Sequence, residues 1–101
     1  MQITMTGRHL DITDAIRAYA TEKCEKFPRY YDRIQLVDVV AEKVDAHRFS
    51  VELIAHVANS DHMVSQAEGE DLYACIDQAS DKMERQLSRH KEKLRNHLHQ
   101  G

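Results

Sequence analysis

At 101 residues the chain has the length of one domain with a modest core. Apolar residues make up 42% and charged residues 31%, which fits a soluble globular protein rather than a membrane-spanning one. The formal net charge of -3 argues against a uniformly basic RNA binder, but it hides a split. Residues 1–81 hold eight Lys and Arg against fifteen Asp and Glu, whereas residues 82–101 hold six against two.

The N-terminus, Met1-Gln2-Ile3-Thr4-Met5, lacks a charged-then-apolar leader, and no apolar run reaches membrane length. A cytoplasmic protein is expected. Gln2–Thr6 alternates and predicts a short strand, followed by a connection over Gly7–Ile12. Thr13 suits an N-cap and Asp14 the first turn of a helix that runs to about Phe27 and ends near Pro28. Ile16, Ala20, Cys24 and Phe27 form its apolar stripe, with Lys23 and Lys26 on one flank near Tyr19. Tyr30 and Tyr31 are expected to pack the loop that follows.

Ile34–Val44 is rich in β-branched residues and predicts a long strand. Asp45-Ala46-His47-Arg48 reads as a turn, Phe49–Val57 as the next strand, and Ala58-Asn59-Ser60-Asp61-His62 as a second turn. Met63–Glu68 is a fourth, short strand broken by Gly69, and Glu70 and Asp71 open a helix from Asp71 to about Leu98. The expected architecture is α+β, ordered β-α-β-β-β-α, with a four-stranded sheet and two helices on one face. Residues 1–101 form one domain in this reading.

Strand parity carries functional information. Ile3, Met5, Val37, Val39, Ala41, Val51, Leu53 and Ala55 fall on one sheet face. Thr4, Asp38, Glu42, Ser50, Glu52 and His56 fall on the other, with Leu36, Val40 and Ile54 as apolar exceptions. Two helices cover one face of such a sheet, so the open face is polar and acidic. Sheet-face RNA readers stack bases on exposed aromatic residues, and none occurs here. RNA is expected on the helical side.

The final helix is sorted into stripes. Leu72, Ile76, Ala79, Met83, Leu87, His90, Leu94 and Leu98 recur at spacings of three and four and share one face. Lys82, Arg85, Arg89 and Lys93 line one flank; Asp77, Asp81 and Glu84 lie opposite. At ~1.5 Å per residue such a helix outruns a strand of ~17–20 Å, so its basic end projects. Cations ~5–6 Å apart along one line can track phosphates, which gives affinity rather than sequence reading. Lys91 and Arg95 widen the basic end. A folded RNA is the expected target.

No nucleophile elbow, P-loop, dinucleotide fingerprint or zinc-ligand spacing is present. No enzymatic activity, cofactor, metal or small-molecule substrate is expected. Cys24 and Cys75 lie in or beside apolar stripes and read as buried thiols. His90 reads as a core-edge residue, and His97 and His99 form no convincing metal set.

The strings Thr13-Asp14-Ala15-Ile16-Arg17, Glu68-Gly69-Glu70-Asp71-Leu72-Tyr73-Ala74, Lys82-Met83-Glu84-Arg85-Gln86-Leu87 and Arg89-His90-Lys91-Glu92-Lys93-Leu94 add a further signal. In combination they resemble the short-form bacterial ribosome hibernation-promoting factors of the ribosome-associated inhibitor family, also labelled sigma-54 modulation proteins. The resemblance spans nearly the whole chain. It implies a fold like double-stranded-RNA-binding domains and a factor seated on the small ribosomal subunit, against its rRNA, in the channel used by mRNA and tRNA. It implies silencing of translation in stationary phase or stress. It also implies promotion of inactive ribosome dimers alongside a ribosome modulation factor. Carried onto this chain, the contact residues would be Lys23, Lys26, Lys82, Arg85, Arg89, Lys91 and Lys93, with Arg8, Arg29 and Arg33 as weaker contributors. The chain's end soon after the basic helix favours the short type over forms with an extended tail or second domain. The older family label leaves a different class of role as the alternative, a protein-interaction module that modulates transcription.

Overall fold

The computed structural model describes the backbone of residues 1–100 and the side chains of residues 1–96. The positions of Leu98, His97 and His99 in the sequence reading therefore lie outside the described side chains. Strand β1 (Gln2–Arg8) leads to helix α1 (Asp14–Cys24) and a 3₁₀ turn at Phe27–Arg29. Strands β2 (Ile34–Asp45), β3 (Arg48–Val57) and β4 (Met63–Gly69) follow, and helix α2 (Leu72–Gln100) closes the order. The sheet order is β1-β2-β3-β4. β1 runs parallel to β2 because α1 carries the chain back between them, and the two hairpins make the other pairs antiparallel.

The expected order and sheet parity are both present, and several boundaries differ. β1 continues through Gly7 and Arg8 because these residues pair with Ala41 and Glu42 of β2. Gly7 is also where the chain doubles back. A Cβ there would lie 2.2 Å from the Leu10 carbonyl oxygen, so no side chain fits without backbone movement. Helix α1 stops at Cys24 rather than Phe27. Its end tightens as the Lys26 N–H turns to the Lys23 carbonyl, and Pro28 then sits inside a 3₁₀ turn it can tolerate.

The β2–β3 turn narrows to Ala46 and His47, where the Asp45 carboxylate accepts the His47 N–H at 2.8 Å. Gly69 ends β4 rather than breaking it earlier, because it still pairs with Phe49. Thr13 caps α1, its Oγ1 accepting from the Ile16 N–H at 3.2 Å. Asp71 caps α2 instead of joining it. Its Oδ1 accepts from the N–H groups of Tyr73 and Ala74.

The core lies between the helices and the odd-numbered strand face. Val37, Val39, Ala41, Val51, Leu53 and Ala55 meet Ile16, Ala20, Cys24 and Phe27 from α1 and the turn after it, and Leu72, Ile76, Ala79, Met83 and Leu87 from α2. Both thiols are free and buried. Burial pushes the Cys24 thiol up to about 12 and raises that of Cys75, so neither is primed as a nucleophile. On the opposite face Asp38, Glu42 and Glu52 are half-buried and Glu68 is exposed, beside half-buried Leu36, Val40 and Ile54.

The apolar stripe of α2 does not stay buried to its end. It is covered through Leu87, His90 is half-buried edge-on to Tyr31, and Leu94 is 43% exposed. The sheet has run out there, although the heptad-like spacing continues. The 29 residues of α2 span about 43 Å at 1.5 Å each, whereas the seven of β4 span about 23 Å.

Gly7→Ala is expected to cost about 1–3 kcal/mol in urea unfolding, as an overpacking change. Gly69→Ala, whose new Cβ would meet only Cys75 Sγ at 3.5 Å, should change stability by under about 1 kcal/mol.

Candidate nucleic-acid interface

Helix α2 has different neighbours on its two flanks. On one, Asp77 faces α1. Its Oδ1 accepts the Tyr19 hydroxyl at 2.5 Å and lies 3.1 Å from Lys23 Nζ. Tyr19 also packs edge-on against Tyr73, with ring centroids 5.0 Å apart. The Tyr19 hydroxyl and the Lys23 ammonium hold the Asp77 carboxyl below its usual range, while the Asp77 carboxylate raises both partners. Farther along, the Glu84 charge raises the Tyr30 phenol. Asp77 is thus engaged by α1, and Glu84 lies near the residue that follows the 3₁₀ turn.

The other flank lies along β4, an edge strand whose outward carbonyls need partners. Lys82 Nζ donates to the Gln66 carbonyl at 2.7 Å, and Gln86 Nε2 donates to the Val64 carbonyl at 2.7 Å. These two side chains, one helical turn apart, close the sheet edge. Lys82 is therefore partly a structural clamp, although an ammonium keeps two further donors.

The remaining cations sit on the crest and the projecting end. Arg85 and Arg89 lie between the flanks and border both a groove of about 460 Å³, shared with Tyr30 and the carboxylates Asp81, Glu84 and Glu92, and a smaller one beside Lys82 and Gln86. The Arg85 Nε makes one long bond, 3.4 Å, back to the Asp81 carbonyl. Lys93 joins Arg89 on the β4 side. Lys91 and Arg95 share a groove with Arg29 on the α1 side. Arg33 lines a groove with Tyr31, His90 and Leu94 beneath the same helix end. Among the described residues, Arg85, Arg89, Lys91, Lys93 and Arg95 form no salt bridge with a carboxylate.

The sequence-based candidates therefore divide. Arg85, Arg89, Lys91 and Lys93 come together around the second half of α2, joined by Arg95 and by Arg29 from the 3₁₀ turn. Lys26 is exposed just after α1, at the start of the 3₁₀ turn. Lys23 is set apart from this group, because Asp77 engages its charge and the acidic flank separates α1 from the basic crest. Arg8 falls on the even-numbered strand face opposite Glu42, away from the helices. The roles of Gln86 and of Asp77 were missed in the sequence. Gln86 sits four residues after Lys82, and that spacing is the one available signal for its place on the β4 flank.

Comparison with known proteins places these features in context. The family model described as "Sigma 54 modulation protein / S30EA ribosomal protein" matches residues 3–95. The ribosome hibernation promoting factor of Azotobacter vinelandii is 43% identical over 93 residues, covering 92% of this chain and 85% of that protein. The factor of the same name from Escherichia coli strain K12 is 42% identical over 97 residues, 96% of this chain and all of that protein. Among solved structures, a ribosomal subunit interface protein from Coxiella burnetii superposes with a TM-score of 0.83 at 28% identity, over 91% of this chain and 99% of that one. The N-terminal domain of Thermus thermophilus Protein Y gives 0.78 at 34% identity, over 88% and 98%.

The Lys23–Asp77 link has a signed pH dependence. Asp77 titrates low when folded, so its contribution is present above the ordinary carboxylate range and is lost as pH falls through the depressed value. Lys23 titrates high, so its contribution is present below its ordinary value and lost as pH rises through the raised one. With the Lys23 side chain 32% and the Asp77 side chain 41% exposed, solvent screens the pair and Lys23→Met should cost less than about 1 kcal/mol at neutral pH. That difference should vanish on acidification in urea melts.

Proposed function

The chain belongs to the sigma-54 modulation protein / S30EA ribosomal protein family, and from that premise we propose that it is a ribosome hibernation factor. In this reading it is a single ribosome-binding domain. It occupies the mRNA and tRNA channel of the small subunit, contacts rRNA there, and stops translation in stationary phase or stress. It also favours inactive ribosome dimers together with a ribosome modulation factor. The protein works in the cytoplasm by occupancy, with no catalytic step, cofactor or small-molecule substrate.

The observation that carries this reading is the segregation of charge. Cations free of carboxylate partners gather on the projecting half of α2, while carboxylates cover the sheet face behind it. A polyanion is attracted to one side of the molecule and repelled by the other. Arg85, Arg89, Lys91 and Lys93 are the principal phosphate contacts, supported by Arg29 and Arg95. Lys82 contributes while closing the β4 edge. Lys26 is a peripheral contact from the segment after α1, and Lys23 contributes less because Asp77 already holds it.

The triple variant Arg85→Glu, Arg89→Glu, Lys93→Glu is expected to abolish co-sedimentation with small subunits and to leave the folded structure unchanged by circular dichroism. Lys82 is spared in this variant because of its bond to β4. Replacing the same three residues with Gln instead should lower the log–log salt slope of binding by about 2–3, near 0.7–0.9 per lost phosphate contact. Unchanged sedimentation of the Glu triple variant would overturn the proposal.

A further inference from the structure

Where α2 outruns the sheet, it leaves a groove of about 380 Å³ beneath it. That volume is within the ~300–1,000 Å³ range of small-ligand sites. His90 and Leu94 of α2 form one wall, and Tyr31, Arg33, Asn59 and Ser60 line the rest. Backbone pairing builds the wall opposite the helix. Ile34 pairs with Val57, and the Ala58 N–H donates to the Arg33 carbonyl at 3.2 Å, so the start of β2 and the β3–β4 turn are held side by side. Asn59 then turns the chain at a φ of 58°, a left-handed conformation that Asn tolerates. Buried Tyr31 meets His90 edge-on, with ring centroids 4.9 Å apart, and braces α2 against this wall.

The lining mixes three chemistries. Leu94 offers apolar surface and is 43% exposed, although it belongs to the stripe that enters the core. Asn59 and Ser60 are exposed and supply hydrogen-bond donors and acceptors. Arg33 adds a planar cation that, among the described residues, forms no salt bridge. Arg89 and Lys93 border a neighbouring groove that shares His90, so further positive charge lies alongside. The ligand that suits this lining is apolar on its faces, polar at its edge and attached to negative charge. An unstacked nucleotide has all three properties. Its base packs on apolar side chains or guanidinium planes, its edge takes hydrogen bonds, and its phosphates meet cations. An aliphatic side chain of a protein partner would cover Leu94 but give Asn59 and Ser60 nothing to bond.

We propose that this groove receives one unstacked nucleobase of the RNA bound along α2, an inference that rests on the RNA-binding reading above. Leu94 covers a face of the base, Arg33 packs its guanidinium against the base or its sugar-phosphate, and Asn59 and Ser60 bond the base edge. Arg89 and Lys93 hold the flanking phosphates. A folded RNA offers such a base at a loop or bulge. The line of cations on α2 meets only backbone and carries no sequence information, whereas a seated base adds discrimination at a single nucleotide. The groove therefore fixes the register of the helix on its RNA, and the exposed Leu94 gains a partner.

The test is binding of the full-length double variant Leu94→Ala, Asn59→Gly to small ribosomal subunits across a salt series. Both residues are exposed, and glycine keeps the left-handed backbone at position 59, so urea melts should match those of the unaltered protein. Affinity should fall by at least about 5-fold, as it does when base packing is lost. The log–log salt slope should stay unchanged, because no phosphate contact is removed. A photoreactive benzophenone side chain at position 94 should cross-link to a base of the rRNA. Unchanged affinity, a salt slope lowered by about 1, or a cross-link to ribosomal protein alone overturns the base site. Those results leave the RNA-binding reading standing while the Glu triple variant of Arg85, Arg89 and Lys93 fails to co-sediment. Unchanged sedimentation of that triple variant overturns the reading itself.

Discussion

The burial of one face of α2 against β3 and β4 is the constraint on which the rest depends. Ile76, Ala79, Met83 and Leu87 are at most 1% exposed, and they hold the helix over the sheet from its start to its middle. Burying each large apolar side chain contributes about 1.5–3 kcal/mol, against well under 1 kcal/mol for a typical exposed ion pair. The seam therefore sets the helix position, and the Lys23–Asp77 link and the Lys82 clamp only orient its flanks. Because the helix is longer than its support, everything past Leu87 has little sheet beneath it. That half is free to carry a dense set of like charges, which a buried helix could not.

Charge sorting follows from the same placement. Asp77 of α2 lies where α1 supplies Tyr19 and Lys23, so its charge is engaged within the fold. Lys82 and Gln86 lie where β4 offers bare carbonyls, and they seal an edge that would otherwise recruit another strand. On the second half of α2 the exposed Arg85, Arg89, Lys91, Lys93 and Arg95 outnumber the exposed Glu92. A net charge of -3 is a poor guide to this protein, because residues 82–101 hold six Lys and Arg against two Glu while the acids are concentrated earlier in the chain. The family to which the chain belongs agrees with such a surface, since a ribosome presents folded RNA whose phosphates a rigid line of cations can track.

How much could be read from the sequence depended on the range of the interaction involved. Strand parity was readable because side chains alternate with a period of two, and the four strands and two helices followed from local pattern and caps. The extension of β1 through Arg8 was not, since it rests on pairing with Ala41 and Glu42, more than thirty residues away. The exposure of Leu94 was hidden for a related reason: helical periodicity continues whether or not a sheet lies beneath. Among the site residues, Arg85, Arg89, Lys91 and Lys93 were visible as stripes on one helix. The engagement of Lys23 by Asp77 was invisible, because it joins two helices distant in the chain. The groove beneath Leu94 combines both cases. His90 and Leu94 are four residues apart on one stripe, but Arg33 and Asn59 join them only through the pairing of β2 with β3.

The central claim is that the second half of α2, and not the sheet face, meets the ribosome. Covalent footprinting of the protein bound to small subunits, read by mass spectrometry, tests it most directly. The account predicts that Arg85, Arg89, Lys91 and Lys93 become protected from arginine- and lysine-specific reagents, while Glu42, Glu52 and Glu68 keep the carboxyl reactivity of the free protein. Protection of those carboxylates with the α2 cations still reactive would contradict it.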